Sequence, residues 1–78
     1  MNDIKDLIYV VTKGLDDRYV DYAFSLEEAF KIIARRFCPD EILLQIVEVK
    51  TMIGENDVDK LSSMDVYYSM MADGYYSE

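Results

Sequence analysis

Carboxylates are the side chains of this sequence best suited to acid–base chemistry, because histidine is absent and cysteine occurs once, at position 38. Two adjacent pairs, Asp16-Asp17 and Asp40-Glu41, could do such work. Adjacent acids beside turn residues more often cap or solvate local backbone, and without an imidazole no Ser-His-Asp or Cys-His set can accompany them. The reading is therefore of a non-enzyme. Glu55, Asp57 and Asp59 alternate like the opening of a calcium loop. Such a loop needs glycine at its sixth position and glutamate at its twelfth, and here those positions hold Lys60 and Val66. One cysteine without histidine does not make a zinc site. Gly14, Gly54 and Gly74 are too scattered for a phosphate-binding loop. Neither a metal nor any other cofactor is expected. Cys38, between Phe37 and Pro39, reads as a small packed residue. Arg35 and Arg36 are the groups that would activate its thiol.

A different signal lies in the last third. Residues 53–78 carry six acids (Glu55, Asp57, Asp59, Asp65, Asp73, Glu78) and one base, Lys60, whereas residues 1–52 carry ten acids and seven bases. Of the net charge of −8, the last third therefore holds −5. That balance opposes binding to nucleic acid or anionic lipid, and favours encounter with a basic protein surface. Interleaved with the acids are Val58, Leu61, Met64, Val66, Met70 and Met71, with Tyr67, Tyr68, Tyr75 and Tyr76. A merely solvating tail has no use for so many large apolar groups, so this segment is expected to fold.

The elements that position these residues follow from periodicity. Leu7 to Lys13 is rich in β-branched and aromatic residues and reads as a strand. Gly14-Leu15-Asp16-Asp17 supplies a turn, and Arg18 to Ala23 a second, antiparallel strand. Ser25 and Glu28 form a capping box. Leu26, Ala29, Phe30, Ile33, Ala34 and Phe37 then share one face of a helix over 25–37, with Glu27 and Lys31 paired outside it. Pro39 ends that helix. The apolar run within 41–52 predicts a third strand, and Gly54 and Asn56 a loop over 53–57. Ser62 and Gly74 bound a last helix over 63–73. The order is β-β-α-β-α. The expected fold is α+β, a single domain over 1–78, in which a three-stranded antiparallel sheet carries one helix and a C-terminal helix covers an edge or the other face. No internal repeat is visible.

Leu61, Met64, Tyr68, Met71 and Tyr75 are spaced 3, 4, 3 and 4. The stripe predicts that Leu61, Met64, Tyr68 and Met71 point inward, with the direction of Tyr75 open beyond Gly74. The candidate partner-binding surface is then Asp65, Tyr67, Met70, Asp73, Tyr75 and Tyr76, since tyrosine and methionine are favoured at interfaces. The partner expected is a basic surface of a host protein, with neither nucleic acid nor membrane as direct ligand. The alternative is a self-assembling protein whose stripe forms a homodimer. No apolar run is long enough to span a bilayer, and the acidic start (Asp3, Asp6) is wrong for a signal peptide. The expected location is the host cytoplasm.

The run Ile8-Tyr9-Val10-Val11-Thr12, a turn, then Tyr22-Ala23-Phe24-Ser25-Leu26-Glu27-Glu28-Ala29 resembles the β-β-α start of many small acidic bacteriophage accessory proteins. The resemblance covers about a third of the chain. It implies an anti-defence inhibitor, some of which mimic the charge of DNA. Lys5, Lys13, Arg18 and the basic end of helix 25–37 interrupt any continuous phosphate-like array here.

Overall fold

The structure is a computed structural model and describes residues 7–76. The amino-terminal charges (Asp3, Lys5, Asp6) and Glu78 lie outside the described residues. Seven elements follow one another: β1 (Leu7–Lys13), β2 (Arg18–Ala23), α1 (Leu26–Arg36), α2 (Pro39–Leu44), β3 (Glu48–Ile53), β4 (Asn56–Leu61) and α3 (Ser63–Ala72). The sheet has four antiparallel strands in the order β2-β1-β3-β4. This overturns the three-stranded sheet and the β-β-α-β-α order.

The correction has two physical causes. The apolar run Ile42-Leu43-Leu44 is helical because the residues before it start a helix. Pro39 occupies the first turn, where its missing N–H costs nothing, and Glu41 accepts the Cys38 amide at 2.7 Å. The second cause is Gly54. Its φ of +63° lets Gly54 and Glu55 close a two-residue hairpin between Ile53 and Asn56, and glycine is favoured at the first position of such a turn. The strand so formed, β4, is exposed along nearly all its length. It therefore carries no alternation of apolar and polar residues from which it could be read.

One face of the sheet is covered. Tyr9 and Val11 of β1, Ala23 of β2, Val49 of β3 and Leu61 of β4 meet Ala29, Phe30, Ile32 and Ile33 of α1, Ile42 of α2, and Val66 and Met70 of α3. Full burial of a side chain such as Ile33 or Ile42 stabilises by about 1.5–3 kcal/mol. Ile46, just past α2, has φ +52°. A β-branched side chain is strained there. The strain is tolerated because that conformation lets the amides of Ile46 and Val47 satisfy the carbonyls of Leu43 and Ile42 at the helix end.

The chain is built twice over the same plan. Val10 faces Tyr22 on one side and Lys50 on the other, and Lys50 faces Lys60. A half-turn about the Val10–Lys50 pair carries β1 onto β3 and β2 onto β4. It also superposes two irregularities, because each outer strand holds one extra, unpaired residue, Val20 in β2 and Val58 in β4. A serine-capped helix follows each hairpin. Ser25 Oγ accepts the Glu28 amide at 3.1 Å, and Ser62 Oγ accepts the Asp65 amide at 3.2 Å. With Ser25 laid on Ser62, the inward residues Ala29, Phe30 and Ile33 fall on Val66, Tyr67 and Met70. The sheet is thus two β-β-α units joined by α2, a repeat that residue identities conceal.

Candidate functional site

The chemistry-bearing carboxylates are taken up in separate contacts, except that Asp17 and Asp57 share Lys50. Asp16 pairs with Arg18 at 3.9 Å and Asp17 with Lys50 at 3.7 Å. Glu41 is occupied with the Cys38 amide and with Gln45 Nε2 at 3.3 Å. Asp57 pairs with Lys50 at 3.8 Å, and Asp59 accepts the amide of Lys60 at 2.8 Å. Among the described residues, no three metal-ligating side chains gather. A depression of about 280 Å³ is lined by Lys13, Gly14, Asp16, Arg18 and Gln45. It lies among the residues of the β1–β2 turn and the end of α2, which include none of the candidate contact residues.

The acid-and-aromatic segment folds as α3 and the turn after it. At its C-terminus Gly74, with φ +80°, sends its amide to the Met71 carbonyl, and Tyr75 sends its amide to the Met70 carbonyl. This is the glycine-terminated helix end in which a left-handed residue reverses the chain. The reversal carries Tyr75 and Tyr76 back onto α1. The Tyr75 ring meets Phe30 edge-on at 5.7 Å. The Tyr76 hydroxyl donates to the Phe37 carbonyl at 2.8 Å and lies 3.4 Å from that of Ile33. The Ile33 carbonyl already accepts the Phe37 amide at 2.8 Å, so the carbonyl that Tyr76 satisfies is that of Phe37, just past the end of α1. Burial pushes the Tyr76 phenol up to about 12, with help from Cys38 and Glu41. Burial raises Tyr75 as well, ahead of the charges of Glu27 and Asp73.

This path rotates α3 relative to the face inferred from its spacing. Val66 and Met70 are fully buried, whereas Met64, Tyr68 and Met71 are 56%, 63% and 44% exposed. The inward orientation expected of Met64, Tyr68 and Met71 is therefore incorrect. Met64 and Tyr68 sit two residues from an inward one, close to half a turn round the helix, and Met71 about a third of a turn from the inward direction. Leu61 does pack inward, but from β4. The six candidate contact residues also separate. Asp65 and Asp73 are exposed, Tyr67, Tyr75 and Tyr76 are half-buried, and Met70 belongs to the core. Met70 has no surface left to offer a partner.

What the spacing did find is a real stripe on the outside. Met64, Tyr68 and Met71 stand one above another at i, i+4 and i+7, with Tyr67 edge-on to Tyr68 at 5.5 Å. α1 is an internal reference for this surface. The positions equivalent to Met64 and Tyr68 hold Glu27 and Lys31, which form a solvated ion pair at 3.6 Å. The fold therefore places no apolar demand on those positions. The signal that would have exposed this is the alignment of Ser25 with Ser62. It is faint, because the two helices share little beyond the cap and the size of their inward residues.

Charge around the stripe is one-sided. α3 contains no lysine or arginine. Asp65 and Asp73, both exposed, flank the stripe. Among the described residues, no helix is long and apolar enough to cross a membrane. No protein-family model matches the chain, and no match was found among curated proteins or solved structures.

Proposed function

We propose that the chain is a small acidic protein-binding module whose contact surface is the outer face of α3. Met64, Tyr68 and Met71 supply the apolar contact, and Asp65 and Asp73 the charge. The observation that carries this is the comparison of the two helices: Met64 and Tyr68 replace a solvated Glu27–Lys31 pair at equivalent positions. Exposed methionine and tyrosine in a row are costly to solubility and suited to an adaptable interface.

The occupant follows from charge. Two copies apposed through this face would bring Asp65, Asp73 and their neighbours together without a base from either α3. A partner with an apolar contact rimmed by lysine or arginine meets the same face with complementary potential. Occupying such a basic surface blocks its other ligands, so the module would act as an inhibitor by occlusion.

The test transplants the α1 pair. The double variant Met64→Glu plus Tyr68→Lys should stay folded. Wild type should retain a basic protein from lysate, more weakly at high salt, and the variant should lose it. The reading fails if the variant captures the same protein as wild type. It also fails if wild type sediments as a dimer and the variant as a monomer, which would make the occupant a second copy.

A further inference from the structure

Both outer strands of the sheet carry the same three-residue device. In β2 it is Val20-Asp21-Tyr22 and in β4 it is Val58-Asp59-Lys60. The valine is the unpaired residue of a bulge in each strand. The aspartate turns its Oδ1 onto the backbone amide of the next residue, at 2.8 Å in Tyr22 and 2.8 Å in Lys60. Tyr22 and Lys60 are the two ends of the single cross-strand row Tyr22–Val10–Lys50–Lys60. An edge-strand amide that faces inward bonds the neighbouring strand. These two bond the preceding carboxylate instead, so they face out, where a further strand would dock. Just past β2 the next amide of the same orientation, that of Phe24, is taken as well, by Glu28 Oε1 at 3.0 Å. Asp21 is held in place from the other side, its Oδ2 accepting from Arg36 Nη2 of α1 at 3.2 Å.

We infer that Asp21 and Asp59 are paired edge guards, each closing one outward amide of its strand and keeping the sheet from adding a strand of a second copy. The bulge beside each guard twists the edge away from a flat template, and the carboxylate occupies the donor that an incoming strand needs. The inference is independent of what binds α3. It concerns the sheet edges, which the proposed contact face does not include.

The experiment has two arms. In the wild-type chain, hydrogen exchange by NMR should show the Tyr22 and Lys60 amides protected. In Asp21→Ala and Asp59→Ala they should exchange roughly five- to tenfold faster, the factor that one lost hydrogen bond implies. The double variant Asp21→Ala plus Asp59→Ala should sediment as larger, sheet-containing species. Asp21→Asn plus Asp59→Asn, which keeps an acceptor oxygen, should behave as wild type, and so should Arg36→Ala, which loses only the ion pair. The inference is overturned if the alanine double variant keeps the wild-type oligomeric state, or if the asparagine double variant assembles like it. Should the alanine double variant fail to fold, the wild-type exchange decides: unprotected Tyr22 and Lys60 amides rule out the guards.

Discussion

Tyr76 shows how a single side chain can close one element with another. Its hydroxyl serves the Phe37 carbonyl at the end of α1, so Tyr76→Phe should cost about 1 kcal/mol at neutral pH. The same site sets an alkaline limit. The phenol ionises near 10.0 when unfolded and at about 12 in the folded chain. A folded value raised above the unfolded one means that this contribution is complete below pH 10 and is lost as pH climbs towards 12. Tyr75 acts in the same direction. Thermal melts across that window should show a shallower alkaline loss in Tyr76→Phe than in wild type; an equal slope would contradict the assignment. Two methionines provide a second comparison. Met70→Ala should cost ~2–5 kcal/mol by opening a cavity, and Met71→Ala no more than about 0.5 kcal/mol. Urea denaturation of the two variants reads this directly, and the reverse ranking would restore the inward stripe.

At the scale of elements, α3 depends on how it ends. Gly74→Ala introduces a Cβ at φ +80° and should cost about 1 kcal/mol. It should also loosen Tyr75 and Tyr76, visible as faster hydrogen exchange at the α1 C-terminus. Gly74→Asn should cost less, because asparagine tolerates that conformation. The elements with strong local signals were legible: β1, β2 and α1 combine β-branched runs, turn residues, a capping box and an unbroken apolar face. α2 was lost because Ile42-Leu43-Leu44 is too short for its period to tell helix from strand. β4 was lost because all its side chains but that of Leu61 are exposed, on both sides of the sheet. The orientation of α3 was lost for a different reason. Its inner and outer faces are both apolar, so periodicity finds a face without saying which way it points. The direction is set by Tyr75 and Tyr76 reaching α1, a contact over roughly forty positions that no local pattern contains.

For the whole molecule, the doubled plan predicts interdependence. Each β-β-α unit leaves its inner strand unpaired and half the core uncovered without the other. A chain cut after Cys38 gives two pieces of about 40 residues, a size at which a core is seldom stable without disulfides, metals or association. Each piece should be unfolded alone by circular dichroism, and mixing them should restore the native spectrum; independent folding of either piece would refute the doubling as a physical unit. The charge asymmetry belongs to the same scale. Affinity for the proposed basic partner should fall as salt rises, chiefly through slower association.

The Glu27–Lys31 pair on α1 has one more implication, for how such a chain can change over generations. Because the fold accepts polar residues at that place in one unit, the matching face of α3 is a nearly free variable. Substitutions at positions 64 and 68 can follow a drifting partner while the cap, the core and the terminal reversal stay as they are. A lineage that lost its partner would be expected to refill that face with lysine and glutamate before it changed anywhere else.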